Sequence, residues 1–384
     1  MLPKDLPSFS SPIGATRSHQ SSPLASHRDS QATPKSSRAS MNTVGFIPEP
    51  NCGRGTVGII WSCLTTIFLT TWTATHSDIQ STIPRSKRDR WQTSLTSFFL
   101  PEVLTASAVD NFIDAYMLRR AIQRIDGWES YSLKQAFLVA LDGVYLDHGV
   151  SDSESEPLER RRFLDLAHSG RITFNDFPSG AKIDSRTKSD WIAKSVAVLQ
   201  ATWFLATVLS RITQDFTVTP LEDITSASAC CGLTAFLLYF RCPQDVQERF
   251  PLKLKAEASG YRPPSNGRLL ELSGSQVVSL AIVVLAAFSG IHLAAWNYPF
   301  PSVVEVWMWR AAVLFTFITG AVTINMRNLV PDHDMLLAMY YTPLGLYIFC
   351  RLLTVTLAFA AFRSCPAEVY QRPSWSAYWG HIGS

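Results

Sequence analysis

The chain has 384 residues, of which 47% are hydrophobic and 17% are charged. Soluble domains carry about a quarter charged residues, so this composition favours a protein that resides in lipid. The formal net charge of +3 is too small to indicate a nucleic-acid partner. None of the seven cysteines stands in a Cys-x-x-Cys pair, which argues against a structural zinc site.

The first 45 residues are rich in Ser and Pro and contain no long apolar run. Such a composition cannot bury enough apolar surface to offset the conformational entropy of the chain. We therefore predict a disordered tail over residues 1–45 and a membrane domain over residues 46–384.

Six apolar segments have the length that an α-helix needs to cross a hydrocarbon core about 30 Å thick. They cover residues 57–75, 194–212, 224–240, 277–296, 306–326 and 343–362. The segment 92–109 is ambiguous, because Pro101 interrupts a regular helix and Glu102 is charged. It is interpreted as a kinked span or as a re-entrant segment. The sequence thus predicts an all-α, polytopic transmembrane helical bundle of six or seven spans.

Residues 112–125 follow a helical pattern in which Arg119, Arg120 and Arg124 share the polar side. A basic amphipathic helix of this kind lies along the membrane interface; the alternative is a solvated helix that continues a span. Residues 126–190 and 241–276 are predicted to be polar loops outside the membrane. With six spans both termini share one face, and the basic residues of the loops place the loops in the cytoplasm.

Arg351 lies near the middle of the last apolar run. A cation at the centre of a bilayer costs between about 2.5 and 17 kcal/mol, so it must face a partner or a polar cavity. His292 is the one ionisable residue in the apolar segment 277–296, and Glu102 lies in the ambiguous segment 92–109. We therefore predict an intramembrane polar site formed by Arg351, His292 and Glu102. The alternative interpretation is a structural ion pair that fixes helix register, with His292 as a packing residue.

The sequence Asp332-His333-Asp334 combines two carboxylates with an imidazole. Adjacent residues point in different directions and rarely bind one metal together, so a solvated turn is favoured. We predict no metal and no cofactor. Neither a Gly-x-Ser-x-Gly elbow nor a His-x-x-Glu-His motif occurs, so no catalytic residues are assigned.

Several stretches have a recognisable pattern. They are CGRGT at 52–56, WTATH at 72–76, QAFLVALDGVYLD at 135–147, KSDWIAKSVAVLQATWF at 188–204, TPLE at 219–222 and AFRSCP at 361–366. Together they resemble the signatures of an uncharacterised family of filamentous-fungal polytopic integral membrane proteins. That family usually has His and Gly where this chain has Gln135 and Asp142. The resemblance runs from about residue 46 to the end and implies a membrane protein without implying an activity.

Three function classes follow from these features, all with the lipid bilayer as partner and none with nucleic acid. The first is an integral, multi-pass membrane protein of undefined activity with a central polar site. The second is a membrane-embedded enzyme, cyclase- or transferase-like, that acts on a lipophilic substrate in fungal secondary metabolism. The third is a transporter or receptor-like protein, for which a lipophilic small molecule is the expected ligand.

Overall fold

The computed structural model describes residues 42–50, 53–74, 97–146, 158–185, 191–243, 249–253, 274–326 and 334–374. The main helices are α1 (Thr56–Ala74), α2 (Pro101–Ile122), α3 (Leu133–Ala140), α4 (Arg160–His168), α5 (Gly180–Ser185), α6 (Trp191–Thr213), α7 (Pro220–Leu238), α8 (Gly274–His292), α9 (Val303–Met326) and α10 (Asp334–Ala360). The short strands are β1 (Thr43–Val44), β2 (Val144–Leu146), β3 (Phe250–Leu252) and β4 (Cys365–Pro366).

Six helices in the described part of the chain, α1 and α6 to α10, are long and apolar enough to cross a membrane. They correspond to the six apolar segments of the sequence, which confirms the prediction of an all-α membrane bundle. Helix α2 is not among them. It carries five charged side chains, Glu102, Asp110, Asp114, Arg119 and Arg120, so it does not supply a seventh apolar span. Residues 92–96 of the ambiguous segment lie outside the described residues.

The two ends of the membrane domain meet at one end of the bundle, which we call the terminal face. Here β1 pairs with β4 in antiparallel register, with Thr43 opposite Pro366. This is the arrangement that six spans predict; the assignment of the opposite end, the loop face, to the cytoplasm stays a prediction. Residues 1–41 of the predicted tail lie outside the described residues, whereas residues 43 and 44, also assigned to that tail, form β1.

Helix α2 begins inside the bundle. Residues 97–99 are helical and the helix is interrupted at Leu100, as the proline predicts. Pro101 then occupies the first turn of α2, where a missing N–H is no loss. The Thr105 hydroxyl donates to the Cys231 carbonyl in the middle of α7 at 3.1 Å, and Arg351 donates to the Phe99 carbonyl at 3.2 Å. The predicted amphipathic helix 112–125 is therefore the outer half of one continuous helix.

The polar segments 126–190 and 241–276 are more than loops, because their described parts form a folded subdomain at the loop face. It comprises α3, α4, α5 and the parallel pair of β2 with β3. An aromatic cluster of Trp128, Tyr131, Phe163 and Phe177 is buried at its centre, together with the inner face of the second half of α2. Buried aromatic side chains of this size contribute much of the apolar surface that stabilises a small core.

Gln135 and Asp142 have structural roles in this subdomain. Gln135 completes a capping box with Ser132 at the start of α3, and its side-chain amide donates to the Pro178 carbonyl at 3.0 Å. Asp142 adopts a φ of 57°, a left-handed conformation that glycine reaches without steric cost.

Candidate functional site

Arg351 lies in the middle of α10 and is 5% exposed. Its Nη1 is 3.3 Å from His292 Nε2, and its Nη2 donates to the Phe99 carbonyl at 3.2 Å. The guanidinium carbon lies 4.6 Å from the centre of the Phe288 ring. A guanidinium keeps its proton in the membrane, so these contacts replace the water that it has lost.

His292 is oriented by two contacts at the end of α8. Its Nδ1 is 3.0 Å from the Phe288 carbonyl oxygen, which can only accept a hydrogen bond. The proton of the imidazole therefore belongs on Nδ1, and Nε2 accepts from the Arg351 guanidinium. In this arrangement His292 serves as an acceptor that holds Arg351 in place.

Glu102 lies in the first turn of α2 and is 4% exposed. Neither of its carboxylate oxygens has a hydrogen-bond partner, although Arg351 is close enough to interact with it electrostatically. The structure thus brings the three predicted residues into one region but joins only His292 and Arg351 by a hydrogen bond. A buried carboxylate without a partner is costly and calls for a physical explanation.

A cavity of about 610 Å³ adjoins Glu102. Its walls come from α2, α8, α9 and α10 and are mostly aliphatic; among the lining residues are Val103, Ala106, Val277, Ala281, Leu285, Ile324 and Leu344. Its polar lining consists of Glu102, Ser107, Asp110, Thr323 and Tyr347. The Tyr347 hydroxyl is buried and, like Glu102, has no hydrogen-bond partner. An apolar cavity with a few convergent polar groups is the usual form of a small-molecule site.

The electrostatics of this cavity are acidic. Two carboxylates line it, and the residues that line it include no basic side chain. Arg351 follows Tyr347 by one helical turn, but its Nη groups are occupied by His292 and the Phe99 carbonyl. The separate space beside His292 and Arg351 is too small to hold a water molecule.

A second buried polar cluster, which the sequence did not predict, lies at the terminal face. Arg54 and Glu222 form a two-pronged ion pair, with Nη1–Oε1 at 2.5 Å and Nη2–Oε2 at 3.2 Å. Glu222 also accepts from the backbone N–H and the hydroxyl of Thr219, both at 3.0 Å. The Arg54 Nε donates to the Val369 carbonyl at 2.7 Å. We call Arg54, Glu222 and Thr219 the terminal clamp.

Arg211 extends the hydrogen bonding beside the terminal clamp. It is fully buried and donates to the carbonyls of Gln371, Thr217 and Glu368 at 2.6, 2.7 and 3.1 Å. Nearby, burial raises the pKa of the Cys365 thiol and of the Tyr370 hydroxyl. These contacts hold the ends of the chain together at the terminal face, while the Nε of Arg211 is buried without a hydrogen-bond partner.

Metal chemistry has no support in the described part of the chain, where no group of three or more His, Cys, Asp or Glu side chains converges. Residues 332 and 333 of the Asp332-His333-Asp334 sequence lie outside the described residues.

The pattern of the family of unknown function DUF8562 matches residues 30–258, more than half of the 384 residues. The chain belongs to this family. The match includes α1 to α7 and hence Glu102 and the terminal clamp, but it ends before α8, α9 and α10, which supply His292, Arg351 and much of the cavity wall. Neither the curated proteins nor the solved structures include a match to this chain.

Proposed function

We propose that this membrane protein binds a lipophilic small molecule in the cavity between α2, α8, α9 and α10, with the polar group of the ligand at Glu102. The observation that carries the proposal is the pair of buried, unpartnered groups, the Glu102 carboxylate and the Tyr347 hydroxyl, at an apolar cavity of about 610 Å³. A ligand that hydrogen-bonds to both would remove the cost of burying them.

The chemistry of the lining selects the ligand class. A carboxylate accepts hydrogen bonds, so the polar group of the ligand must donate them. Because Glu102 and Asp110 give the cavity two acids and no base, a cationic donor is favoured over a neutral one. The expected ligand is a lipophilic amine, whose apolar part packs against the aliphatic walls.

Binding, as in a transporter or receptor, is favoured over catalysis. Glu102 and Asp110 are eight residues apart on α2, which separates them by about 12 Å along the helix axis. They cannot act together as acid and base on one reacting atom. We also propose, because its signatures resemble those of a fungal family, that the protein resides in a fungal membrane.

The proposal is tested with the full chain purified in detergent micelles. The probes are dodecylamine, dodecanol and dodecanoate, which share one apolar chain and differ in the polar group. We expect the amine to bind at least about tenfold more tightly than the alcohol, a difference of about 1.4 kcal/mol, and the carboxylate to bind most weakly. Equal affinities for the amine and the alcohol would overturn the proposal.

Two variants and one control substitution locate the binding site. Glu102→Gln keeps the volume of the side chain and should abolish the preference for the amine, whereas Glu129→Gln, an exposed change in the loop-face subdomain, should leave it intact. Ala106→Phe narrows the cavity and should weaken the binding of all three probes. Retention of the amine preference in Glu102→Gln would show that the amine binds elsewhere.

A further inference from the structure

A second cleft, on the loop face, shares no residue with the cavity at Glu102. It has a volume of about 560 Å³ and is lined by Arg119, Ser132, Leu133, Lys134, Gly180 and Arg241. Three of these residues are basic and none is acidic. The sign of the charge is therefore opposite to that of the intramembrane cavity, and the cleft suits an anion.

The side chains of the two arginines in this cleft are not engaged by other described side chains. Lys134 forms an ion pair with the exposed Asp184 at 2.6 Å, so part of its charge is neutralised. By contrast, no side-chain hydrogen bond or ion pair joins Arg119 or Arg241 to another described residue, and the Nε of Arg119 is buried without a hydrogen-bond partner. Two guanidinium groups are left to bind an external acceptor, and guanidinium matches the geometry of a phosphate group.

The start of α3 adds to the same cleft. Ser132 caps the helix by accepting from the Gln135 N–H, which leaves the N–H groups of Leu133 and Lys134 without acceptors inside the helix. The positive end of the helix therefore coincides with the two guanidinium groups. Backbone N–H groups at a helix start and arginine side chains commonly bind one phosphate group together.

The position of the cleft identifies the source of the phosphate. Arg241 is the last residue of the apolar stretch Pro220–Arg241 of the α7 span, so the cleft lies where the hydrocarbon core meets the polar region. We propose that it binds the phosphate of an anionic phospholipid headgroup. The basic loop face is also the face predicted to be cytoplasmic, where anionic lipids are concentrated.

The full chain in a neutral detergent tests this proposal with three soluble probes: dioctanoyl phosphatidate, dioctanoyl phosphatidylcholine and inorganic phosphate. We expect phosphatidate to bind at least about tenfold more tightly than either of the others, and its affinity to fall as the salt concentration rises. Equal binding of phosphatidylcholine, or inorganic phosphate binding as tightly as phosphatidate, would overturn the assignment to an anionic lipid.

The variants test the two arginines. The double change Arg119→Gln and Arg241→Gln should weaken phosphatidate binding by about tenfold or more, while Arg120→Gln should not, because Arg120 is exposed and lies over the Tyr116 ring instead. Unchanged binding in the double variant would overturn the proposal. The salt dependence and the lipid preference of the unaltered protein do not depend on how the variants fold.

Discussion

Two buried glutamates of this protein occupy similar places and differ in almost every contact. Glu222 is 2% exposed and Glu102 is 4% exposed, and each lies in the first turn of a helix that begins with proline. Glu222 is bound by Arg54 and Thr219, whereas Glu102 has no hydrogen-bond partner. Burial alone therefore does not define the role of a carboxylate: Glu222 is satisfied by partners within the fold, whereas Glu102 is not.

The largest expected effect is at the terminal clamp. Glu222→Gln should lower the free energy of unfolding by about 3–5 kcal/mol, because it leaves the Arg54 charge in a mostly buried site without its counter-ion. Thermal or denaturant unfolding in detergent measures the loss.

The double variant Arg54→Gln with Glu222→Gln measures the interaction between the two side chains. It should lose less than the sum of the two single changes, since both charges disappear together. Strictly additive losses would contradict a direct ion pair and would weaken the contrast with Glu102.

A smaller effect is expected at Arg351. Arg351→Lys keeps the charge. A lysine ammonium group cannot contact His292, the Phe99 carbonyl and the Phe288 ring together, as the planar guanidinium does. Losing one hydrogen bond from a charged donor should reduce stability by about 1.5–3 kcal/mol. Arg363→Lys is the matched control, because Arg363 is an exposed partner of Glu305, and such pairs contribute at most about 1 kcal/mol. Equal losses in both variants would show that the geometry of Arg351 is unimportant.

The sequence predicts the features of the intramembrane site that depend on local pattern. A charge inside an apolar run is visible without a structure, which is why Arg351, His292 and Glu102 can be identified. Pro101 is compatible with a helix start and with a kink, and the structure shows a break at Leu100 followed by a new helix. The unpartnered state of Glu102 depends on the packing of four helices and has no sequence signature.

Two other features lie beyond sequence patterns for different reasons. Arg54 and Glu222 are 168 residues apart, so no spacing rule pairs them. The loop-face subdomain buries aromatic residues such as Trp128 and Phe163 that are scattered through polar surroundings. Its elements are too short to stand out as apolar runs, so the sequence indicates only a polar loop.

Packing gives a third test, which compares the contact between α1 and α7 at Gly232 with the open position of Gly290 on α8. A Cβ added at Gly232 on α7 would lie 2.8 Å from Thr70 Cβ on α1, whereas one added at Gly290 on α8 would meet nothing within 4 Å. Gly232→Ala should therefore lower the free energy of unfolding by about 1–3 kcal/mol through overpacking. Gly290→Ala should leave it unchanged or raise it by up to about 1 kcal/mol through helix propensity. Similar unfolding temperatures for the two variants would contradict tight contact between α1 and α7.

The smallest effect on stability is expected at Glu102, where the same substitution has its largest effect on binding. Glu102→Gln removes no hydrogen bond of the described structure, because neither carboxylate oxygen has a partner. It also removes a charge that is costly to bury. The free energy of unfolding without ligand should therefore stay within about 1 kcal/mol of the value for the unaltered protein, in contrast to the loss at Glu222.

Dodecylamine at 100 times its dissociation constant should stabilise the unaltered protein by about 2.7 kcal/mol and the Glu102→Gln variant much less. A large loss of stability in Glu102→Gln without ligand would mean that Glu102, like Glu222, serves the fold, and would remove the reason to regard its cavity as a binding site.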